Sequence, residues 1–428
     1  MQVLYVVPGS GGSFYCQNCL RDLALIDAMR GRGHAVTMLP LYLPASTATP
    51  AQETPLFYGA VSLYLRDRFA ALRRLPRAWF RPFDARPVLR LAARFAGSTS
   101  ASGLEALTLS MLRGEDGRQA EELRLVADWL GALPTEQAPD VVVLSNALLT
   151  GMAAALKRAA RCPVACWLQD EHVWLDALSD GWRRQAQEAL AQNARHVSRF
   201  LSVSGAYADR LAHALALDRS QMGIVYPGVD PAAYRTADVA RRPATVGFLS
   251  RLAASEGFDR FVDAFLLLRR DPRFADLRLA ATGGPAADRA FMRAQLRKLR
   301  RAGALDACAV QPRRFEEDRA GFLAELTLLS VPGGETPEAF GYYALEAMAA
   351  GVPTVLPAHG AFPEIAAAAG CGTLVADAAP ESVARAWADL LVQPERLRDE
   401  SARGQLAART VFSQAASAAA LERALSAL

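Results

Sequence analysis

The sequence predicts an α/β fold built from two doubly wound halves, and three features of the chain lead to that prediction. Short, unbroken apolar runs recur along most of the chain, segments with helical periodicity separate them, and glycines stand where those helices end. Strands that are apolar without alternation are typical of parallel sheets buried on both faces. The pattern occurs twice, on either side of a proline-rich stretch, so we expect two doubly wound halves.

The apolar runs define the candidate strands of each half. In the N-terminal half they are residues 3–7, 36–39, 141–144, 164–168 and 200–203, and in the C-terminal half residues 246–249, 277–281, 328–331, 354–356 and 373–375. Helical segments such as 20–30 and 344–350 connect them. Gly31, Gly33 and Gly351 then occupy the positions where a helix C-terminus favours glycine.

The stretch 227–243 is the predicted linker between the halves. It is rich in proline and has neither a helical nor a strand period. We therefore predict an N-terminal domain over residues 1–235, a C-terminal domain over 236–410 and a terminal helix within 411–428. A chain of 428 residues is long enough for two or three domains of roughly 150 residues each.

Residues 45–130 break the alternation and predict a helical, irregular insertion in the N-terminal domain. Arginines interleaved with apolar and aromatic residues crowd the segment 66–94. One interpretation is a basic amphipathic surface that contacts lipid headgroups or an anionic acceptor. The other is a solvated face whose aliphatic stems pack on the domain. Pro76, Pro82 and Pro87 favour the second, because they break any long helix lying on a membrane.

The composition is that of an ordinary globular protein, with 52% apolar and 21% charged residues and a formal net charge of +4. So small a charge argues neither for nor against nucleic acid or an anionic membrane. We predict no nucleic-acid partner. Six cysteines in 428 residues do not form the framework of a secreted disulfide-rich protein. The apolar run 3–7 is too short for a signal peptide, and polar residues interrupt the longest apolar stretch. The sequence therefore predicts a cytoplasmic location without a membrane span, apart from the surface contact considered for 66–94.

Two glutamates in the segment 330–364 carry the functional prediction. A strand end and a Gly-rich loop precede Glu338, and Glu346 follows eight positions later, inside a helix. Ligands of parallel sheets bind beyond the carboxyl ends of the strands, where these carboxylates could accept hydrogen bonds from sugar and ribose hydroxyls. A pair of solvated glutamates on an amphipathic core helix would show the same spacing, so the spacing alone is a weak signal.

The start of that helix supplies a second element of the predicted site. Phe340, Gly341 and Tyr342 open the helix, and backbone N–H groups at a helix N-terminus suit a phosphate.

The whole string PEAFGYYALEAMAAGVPTV resembles a pattern of family-4 glycosyltransferases. The C-terminal domain of that family carries E-x-F-G followed by E-A-M-A-x-G-x-P-V. This chain departs from the pattern at Thr354, which stands where the family usually has the valine. Other segments are similar to the same family. They are 200–204 with 226–230, the strand end 247–252, the turn 281–285, and Gly11-Gly12 followed by 32–37. The insertion 45–130 has no counterpart that we can match.

The resemblance implies the GT-B fold, in which two Rossmann-like domains face each other across a cleft. The C-terminal domain then holds most of a nucleotide diphosphate sugar, and the N-terminal domain binds the acceptor, whose identity the sequence does not give. The family is retaining and metal-independent, so the resemblance implies a hexosyltransferase with no metal and no cofactor beyond the co-substrate. The sequence has no Asp-x-Asp motif, in agreement.

The family's mechanism assigns roles to matching residues. Attack occurs on the same face as departure, and the leaving phosphate accepts the proton of the acceptor. Stabilisation of the departing diphosphate falls to Arg251, to the amides near Gly341 and to the Gly11-Gly12 loop. By the same resemblance, Glu338 orients the hydroxyls of the donor sugar and Glu346 holds the ribose.

One departure from the family lies at the end of an N-terminal strand. The family often has a histidine facing the sugar there, and this chain has Gln169, followed by Asp170, Glu171 and His172. These side chains could bind the acceptor, and Asp170, Glu171 or His172 could deprotonate it. Alternatively, the acids cap the next helix. We favour the first interpretation, because strand ends on that edge border the binding site.

A second departure concerns the diphosphate site. The family usually places lysine five residues after the arginine that matches Arg251, and this chain has Glu256. A carboxylate beside a diphosphate is unfavourable. Either Arg313 or Arg314 substitutes for the lysine, or the phosphate is held differently, or catalysis is lost. The last case would make the chain a non-catalytic protein that binds sugar nucleotides.

A C-x-x-C pair, Cys16 and Cys19, lies in the Gly-rich turn after the first strand. A helix N-terminus lowers the pKa of a thiol, so a thiol-dependent enzyme, or an acceptor-side contact, is a further hypothesis. A zinc site with Cys162 and Cys166 is disfavoured, because Cys162 lies at the opposite end of its strand. Burial as small apolar residues is the simpler interpretation, which we favour.

Overall fold

The computed structural model describes residues 1–8, 17–41, 104–284, 288–334 and 336–428, without the side chains of residues 17, 19 and 20. The predictions for Gly11, Gly12, Cys16, the Cys19 thiol and the basic segment 66–94 lie outside this description. Two compact units make up the described chain.

The first unit is built on a six-stranded parallel sheet. It contains the described residues between Met1 and Val225 together with Ala418–Leu428. The strand order is β2-β1-β3-β4-β5-β6, with β1 Gln2–Val7, β2 Ala35–Pro40, β3 Val141–Leu144, β4 Val164–Leu168, β5 Arg199–Ser202 and β6 Met222–Ile224. The helices are α1 Gln17–Gly31, α2 Glu105–Leu112, α3 Ala120–Gly131, α4 Ala153–Ala160, α5 Glu171–Asp176, α6 Asp180–Ala194, α7 Gly205–Leu215 and, from Ala418 onward, the C-terminal α15 Gln414–Ser426.

The second unit, Tyr226–Ser417, repeats the architecture. Its parallel sheet has the order β12-β11-β10-β7-β8-β9, with β7 Thr245–Leu249, β8 Arg278–Thr282, β9 Cys308–Val310, β10 Leu328–Ser330, β11 Thr354–Pro357 and β12 Thr373–Val375. Its helices are α8 Phe258–Leu268, α9 Arg289–Arg301, α10 Arg314–Ala324, α11 Tyr342–Ala349, α12 Phe362–Ala369, α13 Pro380–Leu391 and α14 Pro394–Arg409.

The predicted class, two doubly wound α/β halves with parallel sheets, is confirmed. All residues of β3 and β4 are buried, as expected of strands covered on both faces. The sequence missed β6 and β9. Each has three residues, lies at the edge of its sheet and includes partly exposed positions, so neither produces an unbroken apolar run.

The unit limits fall at Val225/Tyr226 and Ser417/Ala418, whereas the sequence placed the limits at 235/236 and 410/411. The last residues belong to the first unit, where the Arg32 Nε donates to Glu422 Oε2 at 2.8 Å. The structure describes the predicted insertion 45–130 only from residue 104 onward, where α2 and α3 lie. None of the described helices has both the length and the apolar character that a membrane span requires.

The strand order reverses between β1 and β3 in the first unit, and between β7 and β10 in the second. Connections on the two sides of such a switch point go to opposite faces of the sheet, which leaves a crevice at the carboxyl ends of those strands. The residues that follow β7 and β10 therefore lie where ligands of doubly wound folds bind. In the first sheet the residues that follow β3 lie at the corresponding place, and the end of β4 lies next to them.

An aromatic cluster anchors the helices of the second unit to its sheet. Phe248 of β7 lies 5.1 Å from Phe258 and 5.3 Å from Phe261 of α8, and Phe261 lies 5.2 Å from Trp387 of α13, measured between ring centroids. All four side chains are fully buried. Burial of such large rings is the main stabilising contribution of this layer.

Removing the Trp387 ring should destabilise the second unit strongly. Trp387→Ala leaves a cavity beside Phe261, and we expect a loss of about 3–5 kcal/mol in the free energy of unfolding, measured by far-UV circular dichroism in urea. Leu406→Ala, at a position that is 63% exposed, is the control and should cost less than about 0.5 kcal/mol. Equal losses in the two variants would contradict the assigned core.

Candidate functional site

The carboxyl-end loops of β7 and β10 contact each other through their backbones. The Gly333 N–H donates to the carbonyl of Glu256 at 3.2 Å. Gly257 has φ +76°, and a Cβ there would lie 2.4 Å from the Gly333 carbonyl oxygen. Only glycine fits this approach, so the two loops form one rigid edge at the switch point of the sheet.

Arg251 and Glu256 form an ion pair at this edge. Arg251 follows β7, and its Nη2 lies 2.5 Å from Glu256 Oε1. Ser250 Oγ donates to the other carboxylate oxygen at 3.1 Å. The Arg251 side chain is 41% exposed and the Glu256 side chain 11%. The carboxylate at the position where the family has lysine therefore faces the predicted diphosphate arginine and neutralises it.

The two substitute cations suggested by the sequence have carboxylate partners of their own. Arg314 Nη1 lies 2.9 Å from Glu325 Oε2, and Arg313 Nη1 lies 3.8 Å from Glu316 Oε2. Their role at a diphosphate stays a prediction.

Arg260 is a cation at the site that sequence reasoning missed. It lies in the first turn of α8, and its Nη1 donates to the Gly333 carbonyl at 3.1 Å. Its position in the sequence could have indicated it, because Arg260 lies four residues, about one helical turn, after Glu256, where the family has lysine.

Glu338 and Glu346 differ sharply in their surroundings. Glu338 is half-buried, and Oε1 accepts a hydrogen bond from the Tyr343 hydroxyl at 2.8 Å. Glu346 is fully buried. Its Oε1 accepts from the Tyr234 hydroxyl at 2.7 Å and lies 2.6 Å from Arg319 Nε. Such partners are required, because a carboxylate enclosed without them would be very unstable in its charged form.

The first turn of α11 presents backbone rather than side chains. The helix begins at Tyr342, after Gly341 with φ +84°, where a Cβ would lie 2.5 Å from the Phe362 ring. The Phe340 side chain is buried, and the Tyr342 hydroxyl donates inward to the Gly228 carbonyl at 2.9 Å. The predicted contacts of Phe340, Gly341 and Tyr342 with a phosphate can therefore come only from their amides and from the helix dipole.

Tyr234 and Arg319 had no local signal in the sequence. Tyr234 lies in the segment after the first unit, and Arg319 lies in α10 next to Asp318, whose backbone is not helical. Burial, together with the neighbouring Glu346, raises the pKa of Tyr234 far above its ordinary value. Tyr234 therefore stays protonated and donates its hydroxyl proton to Glu346.

In the first unit, Glu171 joins the ends of β3 and β4. Its Oε1 accepts from the Ala147 N–H at 2.8 Å, and Oε2 accepts from the Gln169 N–H at 2.6 Å and from the Tyr207 hydroxyl at 2.8 Å. The side chain is buried, and this burial raises its pKa to about 7. These contacts describe a carboxylate that organises two strand ends. A role as catalytic base stays a prediction.

The neighbours of Glu171 divide into buried and accessible groups. Gln169 and His172 are buried, with Gln169 Nε2 donating to the Ser145 carbonyl at 2.5 Å and His172 Nδ1 lying 3.2 Å from the Tyr207 hydroxyl. Asp170 is half-buried and has φ +44°. It occupies the N-cap position of α5, but its side chain makes no capping hydrogen bond. The predicted acceptor-side residues are thus neighbours at one strand end, with Asp170 the most accessible.

A buried ion pair of α1 lies beside this strand end. Arg21 pairs with Asp22, the Tyr5 hydroxyl donates to Asp22 at 2.9 Å, and the Arg21 guanidinium lies 4.5 Å from the centre of the Trp167 ring. Burial raises the pKa of Asp22 despite the adjacent Arg21. Sequence reasoning missed this network, although Arg21-Asp22 follow the Gly-rich turn closely.

Three polar atoms in this region are buried and have no hydrogen-bond partner among the described residues. They are Arg21 Nη1, Ser145 Oγ and Gln169 Oε1. Arg21 Nη2 and Gln169 Nε2 both approach the Ser145 carbonyl, so the three atoms belong to one small region.

The described part of the chain offers no group of three His, Cys, Asp or Glu side chains that could hold a metal ion. The cysteines whose side chains are described, Cys162, Cys166, Cys308 and Cys371, are all free thiols. Burial raises the pKa of Cys166 well above its ordinary value, so this thiol stays protonated.

Comparison with known proteins connects the second unit with a family. Residues 243–393 match the family described as glycosyl transferases group 1. The chain is 31% identical over 223 residues to a D-inositol 3-phosphate glycosyltransferase of Frankia alni, covering 49% of this chain and 53% of that protein. It is 28% identical over 221 residues to an MMP alpha-(1->4)-mannosyltransferase of Mycolicibacterium hassiacum, covering 51% and 52%. The chain spans about half the length of the curated relatives that it matches.

Solved structures match over the whole chain. Anabaena Alr3699/HepE in complex with UDP and glucose has a TM-score of 0.67 at 17% identity and covers 100% of both chains. Sucrose-phosphate synthase from Thermosynechococcus elongatus has a TM-score of 0.67 at 16% identity and covers 99% and 98%. At such identities the likeness shows the fold, and the two parallel six-stranded sheets are those of a GT-B fold, as the sequence resemblance implied.

The raised pKa of Glu171 predicts a pH-dependent stability. The unfolded chain ionises this group near its ordinary value of 4.5, whereas the folded chain does so only near 7. The stabilising contribution of the protonated form is therefore lost as the pH rises from about 4.5 to about 7. Relative to Glu171→Gln, the wild type should lose about 3 kcal/mol of unfolding free energy between about pH 4 and pH 8.

Urea titrations of both proteins across this pH range measure the difference. Glu121→Gln, at an exposed position of α3, is the matched control, because its side chain stays in water in both states. A difference between wild type and Glu171→Gln that does not change with pH would contradict the assigned burial.

Proposed function

We propose that this chain, whose residues 243–393 match the glycosyl transferases group 1 family, moves a hexose from a nucleotide diphosphate sugar to an acceptor. In this proposal the transfer retains the anomeric configuration and needs no metal ion. The observation that carries it is the convergence of Arg251, Glu338 and the first turn of α11 at one edge of the second sheet. These groups follow β7 and β10, which are hydrogen-bonded neighbours at the switch point.

The proposed donor contacts follow from this arrangement. The guanidinium of Arg251 and the dipole at the start of α11 bind the diphosphate. The half-buried Glu338 carboxylate accepts hydrogen bonds from hydroxyls of the sugar, with Tyr343 holding its orientation. Ribose binding by Glu346 requires the Tyr234 hydroxyl to give up its hydrogen bond, because the carboxylate is enclosed in the present structure.

The proposed chemistry needs electrostatic stabilisation rather than an enzyme nucleophile. The acceptor oxygen forms its bond to the anomeric carbon on the face from which the phosphate oxygen leaves. The bond to that phosphate oxygen breaks, and the leaving diphosphate takes the proton of the acceptor. Negative charge grows on the diphosphate during this step, where a preorganised cation and a helix N-terminus lower the barrier.

We propose a UDP-sugar as the donor. The support is that the structural neighbour Alr3699/HepE is described in complex with UDP and glucose. The names of the relatives include a D-inositol 3-phosphate glycosyltransferase and a mannosyltransferase, so GDP- and ADP-sugars belong in the same screen.

We place the acceptor at the carboxyl edge of the first sheet, with Gln169, Asp170, Glu171 and His172 as candidate contacts. The support is the group of buried polar atoms near Gln169 that have no hydrogen-bond partner among the described residues, and that a hydroxylated acceptor would satisfy. The cytoplasmic location, the membrane contact through 66–94 and any role of Cys16 and Cys19 are further parts of the proposal that rest on the sequence.

A second candidate function is nucleotide-sugar binding without transfer. The specific observation in its favour is that Glu256 neutralises Arg251. Turnover separates the two functions, since a binding protein stabilised by a donor would neither hydrolyse nor transfer it.

The direct test is a thermal-shift screen of UDP-, GDP- and ADP-hexoses, followed by NMR of the product with the donor that stabilises the protein. A true ligand at 100 times its dissociation constant adds about 2.7 kcal/mol of stability. An α product from an α donor in the presence of EDTA supports the proposal. A β product, or turnover abolished by EDTA, contradicts its stereochemical or metal-free part.

Glu338→Gln should separate sugar contacts from nucleotide contacts. We expect kcat to fall by roughly 100-fold, because the amide offers a weaker acceptor to the sugar hydroxyls as charge develops. The Kd for UDP should change by less than about 3-fold, since UDP has no hexose and each tenfold corresponds to 1.4 kcal/mol. Glu381→Gln, exposed on α13, is the control. An equal loss of UDP affinity in Glu338→Gln would place this residue at the nucleotide instead.

A further inference from the structure

We propose that Glu256 is a built-in competitor for Arg251, which the diphosphate of a donor or of a product has to displace. This inference rests on the proposed function and deepens it. It assigns to Glu256 a positioning role that limits the affinity of the second unit for nucleoside diphosphates.

Glu256 is held in place from several sides. Its carboxylate bonds to Arg251 at 2.5 Å and accepts from Ser250 Oγ at 3.1 Å. Its backbone carbonyl accepts from the Gly333 N–H at 3.2 Å, in the loop that follows β10. The side chain is 11% exposed, so it cannot swing into solvent as a surface glutamate does. The carboxylate is a fixed part of the carboxyl edge of the sheet.

Arg251, in contrast, is open on one side. Its side chain is 41% exposed, while the partner carboxylate is almost enclosed. A phosphate approaching from solvent can reach the guanidinium, which has five N–H donors and can serve two anions. That phosphate then lies within a few ångströms of a fixed carboxylate, and like charges at this distance repel.

The charges at this edge show the consequence. In the family that the sequence resembles, an arginine at the position of Arg251 and a lysine at the position of Glu256 would supply two positive charges. Here Arg251 and Glu256 sum to zero, and the nearby Arg260 contributes one positive charge while bonded to the Gly333 carbonyl. A nucleoside diphosphate is therefore bound more weakly than two cations would bind it, and the released nucleotide leaves more readily. A nucleoside monophosphate, which lacks the second phosphate, senses Glu256 less.

The test uses calorimetry with the full chain to measure the affinities for UDP and UMP. The same comparison is made between GDP and GMP and between ADP and AMP. In Glu256→Gln the amide replaces the charge without changing shape, and the backbone bond to Gly333 is kept. We expect UDP to bind roughly tenfold more tightly and UMP to change by less than about 3-fold, since removing one like charge acts mainly on the β-phosphate. The gain should shrink as the salt concentration rises.

Two further variants separate a charge effect from a structural one. Glu115→Gln removes an equal charge from the ion pair with Arg158 in the first unit, which also has a contact of 2.5 Å, and should leave the ratio of UDP to UMP affinity unchanged. In an Arg251→Gln background, Glu256→Gln should give a smaller gain, because Glu256 acts through Arg251. A purely structural role would change UDP and UMP equally.

The outcomes distinguish this inference from the proposed function. If the wild type binds UDP and Glu256→Gln leaves the ratio of UDP to UMP affinity unchanged or lowers it, the inference fails and the function stands. If neither protein binds any of the three nucleoside diphosphates, both fail. A variant that binds UDP more tightly and is inhibited by UDP at lower concentrations supports both.

Discussion

The pairing of β7 with β10 is the contact on which the site of the second unit depends. Parallel pairing sends both strand ends to the same edge of the sheet, so the residues that follow them meet even though about eighty positions separate them along the chain. Because the strand order reverses at this pair, no crossover helix covers the crevice between the two ends. This pairing brings one set of groups to the same edge of the sheet: Arg251, Glu256, Gly333 and the start of α11.

Buried carboxylates are the second common feature of the two units, and their partners differ. Glu346 has a cation and a tyrosine, whereas Glu171 has two backbone N–H groups and a tyrosine. Glu346 is in direct contact with a cation, whereas the three hydrogen-bond donors to Glu171 are neutral, and burial raises the pKa of Glu171. Glu256 lies between these cases, since its partner Arg251 is itself accessible to an anion. A buried carboxylate is therefore not by itself a catalytic group, and its partners decide what it can do.

Much of the fold and part of the site could be predicted from the sequence. The predicted apolar runs became strands because two-sided burial requires unbroken apolar residues, and β3, β4 and β12 begin and end where the runs do. The short edge strands β6 and β9 were not predicted, because their partly exposed residues do not form an unbroken apolar run. The motif pattern is the reason why the sequence predicts Arg251, Glu338 and Glu346 as site residues. The structure places Arg251 after β7, Glu338 in the loop after β10 and Glu346 within α11. Tyr234, Arg319 and Arg260 were not predicted, because their segments carry no pattern of their own.

The sequence by itself determined the doubly wound class, the strand ends near which the predicted site residues lie, and the presence of Glu256 where the family pattern has lysine. Local periodicity and motif spacing are properties of the chain, so no tertiary information was needed for them. Only the tertiary structure decided that Glu256 bonds to Arg251, that Glu346 is enclosed by Tyr234 and Arg319, and that Glu171 joins two strand ends. Each of these is a side-chain contact, and the direction of a side chain depends on how it is packed and buried. Packing and burial arise only when separate segments of the chain fold together.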